Sequence, residues 1–280
     1  MHYIDRGPGG GACGSGDAAA QADDGRSSSA IVMLHGNPTW SYFYRNLVEG
    51  LYESHRVIAP DHIGMGLSDK PQDAAYDLAF HIDNLERFIE HLDLKSITLV
   101  VHDWGAAIGF GYAVNHPDKV EKIIVLNSAA FYDPAIPKRI ALCRGPVGKF
   151  LVQRLNLFAR AATSMTTVNK LSKDTKAAYL RPYADYMSRI GIYSFLADIP
   201  VEPNHQTRPL FDAIEARLPD IQSELLILWG KKDFCFTEHF YQRWKAIFPA
   251  AQSRLFENAG HYILEDIPNE ALKEIKEFIS

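Results

Sequence analysis

The chain has 280 residues, 47% hydrophobic and 22% charged, with 29 Lys and Arg against 34 Asp and Glu for a formal charge of −5. That balance argues against a nucleic-acid partner, and the length suits one large α/β domain with an insertion. Three scattered cysteines, Cys13, Cys143 and Cys235, form no disulfide framework or metal motif, which points to a reducing, cytoplasmic compartment.

Residues 1–7 lack an apolar leader core and read as a short edge strand, and no stretch has membrane-spanning length. Residues 8–29, rich in Gly, Ala, Ser and Asp, read as a flexible loop. Residues 31–34 form a buried strand running into His35-Gly36-Asn37-Pro38-Thr39, a turn at the sheet edge. A helix over 41–51 and a strand over 56–59 follow. The glycine-punctuated loop 61–68 has the wrong spacing for phosphate binding and reads as structural. Residues 78–92 are amphipathic, with Ile82, Leu85, Phe88, Ile89 and Leu92 on one face. A strand over 97–101, a helix over 105–113 and a sixth strand over 122–126 come next.

From Phe131 to about Asp212 the strand pattern gives way to helical periodicity broken by prolines. This stretch reads as a helical cap over the carboxyl end of the sheet. A strand over 224–230, a helix over 239–248, a strand over 253–256 and a helix over 269–279 complete the chain. The alternation predicts an α/β fold with a mostly parallel central sheet flanked by helices. Its core would be 1–130 and 213–280, with a helical cap over 131–212.

The chemistry centres on His102-Asp103-Trp104-Gly105, where a β-branched strand turns sharply into a helix of small residues. Such a strand–turn–helix lifts its central side chain above the sheet as a nucleophile elbow. Asp103 could instead merely cap the helix. As a nucleophile, an aspartate displaces a leaving group from saturated carbon and leaves an alkyl ester, which water can open. A serine would leave an ether, which it cannot. The elbow therefore favours alkyl electrophiles: halides, epoxides and strained alkyl–oxygen rings.

Asp233 lies just past the strand 224–230 and His261 just past the strand 253–256, at the same sheet edge. A turn carboxylate and a surface histidine are the plainer readings of each. Nucleophile, acid, histidine is the chain order of a hydrolase triad. In it Asp103 attacks, His261 activates water and Asp233 orients the imidazole. Backbone N–H groups of Asn37 and Trp104 are placed to receive negative charge. The Asn37 amide and Trp104 indole could also clamp a leaving group, although an Asx-turn and core packing are the plainer alternatives.

His35-Gly36-Asn37-Pro38-Thr39-Trp40-Ser41 together with His102-Asp103-Trp104-Gly105 resembles the haloalkane dehalogenase family over the whole chain outside residues 8–29. The resemblance implies Asp103 as nucleophile, His261 as base and Asn37 with Trp104 as halide donors. One branch carries its acid as Glu after the sixth strand. This chain has Leu126, Asn127, Ser128 and Ala129 there, leaving Asp233 and a likeness to the third subfamily. That group is similar to bacterial β-lactone decarboxylases of olefin biosynthesis, which the stretches 256–266 and 137–167 also resemble. Dehalogenation and lactone decarboxylation share these residues; both act on small apolar substrates, and no cofactor or metal is implied. Epoxide hydrolases, which use two cap tyrosines, rank third; Tyr132, Tyr179, Tyr183, Tyr186 and Tyr193 are available. A hydrolase-fold receptor without turnover is the non-enzyme alternative, although it has no need of a full triad.

Residues 134–173 hold eight cations and no Asp or Glu. A solvated helix face is the plain reading; docking to a membrane surface or within a multi-enzyme assembly is the sharper one.

Overall fold

The computed structural model describes residues 1–8 and 27–280, so most of the expected loop over 8–29 lies outside the described residues. Among the described residues seven strands form one sheet: β1 (Tyr3–Arg6), β2 (Ser29–Leu34), β3 (Val57–Pro60), β4 (Ser96–Asp103), β5 (Val120–Ser128), β6 (Glu224–Gly230) and β7 (Gln252–Phe256). Their order is β1-β3-β2-β4-β5-β6-β7, with β1 antiparallel to β3 and every other pairing parallel. β5, expected as a sixth strand, is the fifth among the described residues, and β2 already begins at Ser29.

A parallel sheet covered on both faces needs apolar side chains on both sides of each strand. Along β4, Leu99 and Val101 join one buried cluster while Val100 joins the other; Ile123 and Ile124 of β5 divide in the same way. The first cluster is closed by α2 (Leu78–His91), α3 (Trp104–Ala113) and α10 (Glu238–Ile247), and the second by α1 (Arg45–Leu51) and α12 (Pro268–Ile279). The helix expected over 41–51 starts as a 3-10 turn, Ser41–Tyr44, before α1 begins.

Between β5 and β6 the described elements are all helical. They are α4 (Lys138–Leu142), α5 (Pro146–Lys149), a π-helical turn (Phe150–Arg154), α6 (Leu157–Met165), α7 (Lys173–Leu180), α8 (Ile190–Ala197), α9 (Arg208–Arg217) and three 3-10 turns, counting those after α7 and α9. The 3-10 turns are Arg181–Tyr183, Met187–Arg189 and Leu218–Asp220, with Ser41–Tyr44 lying earlier in the chain. This stretch reaches the carboxyl ends of the strands: Asn37, past β2, donates its side-chain amide to the Ile192 carbonyl at 3.0 Å, and Phe195 packs 5.2 Å from the Trp104 ring. A short helix, α11 (Ile263–Asp266), follows β7.

The elbow depends on how closely α3 sits behind β2. A methyl group on Gly105 would overlap the Leu34 carbonyl, whereas Gly145 has open space around its own. Gly105→Ala should therefore lower stability by at least about 2 kcal/mol in urea unfolding, because nothing but backbone is there to yield. Gly145→Ala should stay within about 0.5 kcal/mol of the parent.

Candidate active site

Asp103 ends β4 with φ 52° and ψ −125°, a strained backbone for a residue with a side chain, and begins α3 immediately after. Its carboxylate makes no N-cap bond into α3 beyond the adjoining Trp104. Oδ1 accepts the Asn37 backbone N–H at 2.7 Å, with the Trp104 N–H adding a second donor to the carboxylate. The capping alternative therefore fails: the turn carries the side chain up and across to the loop after β2. Burial raises the Asp103 pKa above the usual carboxylate value and the Asp233 charge adds to this, while His261 and the two N–H donors oppose it.

The loop after β2 is held in place by buried histidines. His35 donates from Nδ1 to the Gly36 carbonyl at 2.8 Å and accepts the His62 N–H at Nε2. His62 returns a bond from Nε2 to the His35 carbonyl at 2.9 Å. Burial lowers the pKa of both rings, so they serve as neutral struts. Gly36 has no room for a methyl against the Asp103 carboxylate, which is why the loop can approach so closely.

His261 and Asp233 lie where their strand ends place them, and both are buried. His261 Nδ1 donates to Asp233 Oδ2 at 2.8 Å, leaving Nε2 facing Asp103 Oδ2 at 3.8 Å, too far for a hydrogen bond. Burial lowers the His261 pKa, but the charge and hydrogen bond of Asp233 and the charge of Asp103 outweigh it, and the net shift is upward. Asp233 is also a turn carboxylate, as its plainer reading had it: Oδ1 accepts the Cys235 N–H at 2.6 Å. The histidine loop is pinned from below, with Gly260 N–H donating to Asp266 Oδ2 and Tyr262 N–H to the Thr166 carbonyl.

Sequence reasoning missed Asn127. Its amide donates to Asp233 Oδ2 at 3.0 Å and to the Gly230 carbonyl, while its oxygen accepts the Gly230 N–H at 2.7 Å. The signal was present, because Asn127 stands in the segment where a related branch carries its acid; it holds the carboxylate that follows the neighbouring strand instead.

Two apolar cavities open over these residues. The first, about 130 Å³, has Asp103 and Trp104 in its wall with Phe131, Tyr132, Phe211 and Phe236. The second, about 260 Å³, has Asn37 and His261 in its wall with Val152, Leu157, Phe158 and Ala162. Ile140 and Cys235 line both. The Asn37 side chain bonds across to Ile192 rather than closing an Asx-turn. Of the five cap tyrosines, Tyr132 lines the cavity with Asp103. Tyr179, Tyr183 and Tyr193 donate their hydroxyls to Glu265, the Thr39 carbonyl and the Arg144 carbonyl. A pair of tyrosine acids over Asp103, which an epoxide-opening site needs, is not assembled among these five.

A family model described as alpha/beta hydrolase fold matches residues 29–268. A cis-3-alkyl-4-alkyloxetan-2-one decarboxylase of Shewanella oneidensis is 42% identical over 259 residues, covering 89% of this chain and 81% of its own. A haloalkane dehalogenase of Mycolicibacterium paratuberculosis is 32% identical over 269 residues, covering 95% and 83%. The crystal structure of an ancestral haloalkane dehalogenase superposes with a TM-score of 0.83 at 27% identity, covering 99% of this chain and 94% of that one. The chain belongs to the α/β-hydrolase family, among the enzymes related to haloalkane dehalogenases and cis-3-alkyl-4-alkyloxetan-2-one decarboxylases.

Proposed function

We propose that this enzyme opens a cis-3,4-dialkyl β-lactone through an ester on Asp103 and releases a cis-alkene and CO2. The observation that carries the reading is the pair of apolar cavities diverging from Asp103 and His261. A small polar ring bearing two alkyl arms fills both, and their unequal volumes suit arms of unequal length. The greater identity to the oxetanone decarboxylase supports the same choice. In this reading residues 131–212 are the cap that shapes both cavities.

The roles follow from the geometry. Oδ1 of Asp103 is engaged by the Asn37 N–H, so Oδ2 is the attacking oxygen. It strikes ring carbon C4 opposite the ring oxygen; the C4–O bond breaks and a carboxylate forms on the substrate. The Trp104 indole N–H, a donor only, is available to that anion. The resulting ester bears a carboxylate on the adjacent carbon. Loss of CO2 sends the C2–C3 electrons into a C3=C4 double bond and expels the Asp103 carboxylate. Inversion at C4 followed by anti departure keeps both alkyl groups on one side, giving the cis-alkene. No water is consumed.

An alkyl halide reaches the same kind of ester without that carboxylate, and the dehalogenase relative favours this as the second reading. Release then needs water. His261, its Nδ1 proton held by Asp233, takes a water proton at Nε2. Charge developing on Oδ1 is met by the N–H groups of Asn37 and Trp104, which stand in the role of oxyanion donors.

In parallel assays, a cis-3,4-dialkyl β-lactone should yield alkene at least about a hundredfold faster, as kcat/KM, than a 1-bromoalkane of matched length yields halide, a gap of roughly 2.7 kcal/mol in transition-state binding. Halide release without alkene would reverse the assignment. The His261 ring signals should titrate with a midpoint above 6.5, so that water activation is lost as pH falls through it. Asp233→Asn removes the main raising influence and should lower the midpoint; an unmoved midpoint contradicts the pairing.

A further inference from the structure

We propose that residues 134–173 seat the enzyme on a bilayer bearing anionic headgroups, with the cavity over His261 opening toward the lipid. The inference deepens the reading of a dialkyl substrate and rests on it for its purpose. Of the nine large hydrophobic side chains exposed among the described residues, seven belong to this stretch: Leu142, Val147, Phe150, Leu155, Leu157, Met165 and Val168. Leu142 and Val147, at 77% and 72% exposed, stand almost free. The same stretch holds eight cations and no acid. Arg144 pairs with Glu202; the other seven are exposed and in no ion pair among the described residues.

Apolar side chains interleaved with exposed cations free of ion pairs are what an interfacial surface needs: the former enter the headgroup boundary and the latter meet its charge. With seven exposed large hydrophobic side chains among eight cations and no acid, the stretch fits an anionic bilayer, which takes up apolar side chains and positive charge together.

The cavity supplies a second, independent observation. Leu157 and Met165 are 46% and 45% exposed, yet both also line the cavity that holds His261 and Asn37. That cavity therefore reaches the surface within the apolar, cationic stretch. A dialkyl lactone partitions into lipid, and this placement lets it pass from bilayer to Asp103 without crossing water.

Flotation of the full chain with vesicles, in the absence of substrate, tests the docking separately from the chemistry. Binding is expected to phosphatidylcholine vesicles containing phosphatidylglycerol, to be much weaker to phosphatidylcholine alone, and to fall as salt is raised. Two variants avoid the cavity walls: Leu142→Ser/Val147→Ser/Phe150→Ser and Arg154→Glu/Arg160→Glu. Each should bind at least about tenfold more weakly while keeping the parent's unfolding midpoint and its turnover of a short, water-soluble β-lactone. Equal binding to both vesicle types, or variants that bind like the parent, would overturn the proposal. So would no binding at all, which would leave the surface to a protein partner. None of these results bears on the lactone reading, which the product assay decides alone.

Discussion

A single aspartate holds a strained backbone at the point where a largely buried strand must turn into a closely packed helix. At φ 52° Asp103 leads straight into α3, which sits so close behind β2 that Gly105 lies against the Leu34 carbonyl. The strain is sustained by packing on both sides and leaves the carboxylate above the sheet edge. There the Asn37 N–H takes one oxygen, and the other is left beside the histidine. The two carboxylate oxygens thus become chemically distinct before any substrate arrives.

The second carboxylate is treated differently. Asp233 receives the His261 ring, the Asn127 amide and the Cys235 N–H, so its charge is fully engaged by donors. Asp103 is raised by burial and its Oδ2 has no hydrogen bond to His261, which in the proposed reaction favours attack; Asp233 is saturated, which favours holding the imidazole in one tautomer. The 3.8 Å between His261 Nε2 and Asp103 Oδ2 leaves the two groups without a direct hydrogen bond, which in the proposed reaction keeps base and nucleophile apart.

Much of this was legible along the chain. Apolar β-branched runs marked the strands, the small residues after Asp103 marked a helix that must pack tightly, and the order Asp103, Asp233, His261 matched the strand ends. What escaped notice depends on residues far apart in sequence. Asn127 meets Asp233 across 106 positions, and an asparagine at a strand end carries no local sign of that partner. The split of the apolar space into two cavities at Ile140 and Cys235 likewise arises only when the helical stretch folds back over the sheet. β4 runs on to Asp103, beyond the expected 97–101, because its pairing with β5 continues to Ser128.

In the proposed chemistry, two exits from one ester would let closely related chains serve different reactions. A neighbouring carboxylate on the substrate ejects the aspartate; without it, water must do so. The covalent bond itself is common to both and is open to direct observation. His261→Phe, which keeps Asp103 and removes the base, should be incubated with a 1-bromoalkane and analysed by peptide mass spectrometry. One alkyl group on Asp103 is expected for each halide released, and none on an Asp103→Asn control. A protein that keeps its native mass, or one alkylated elsewhere, would contradict it.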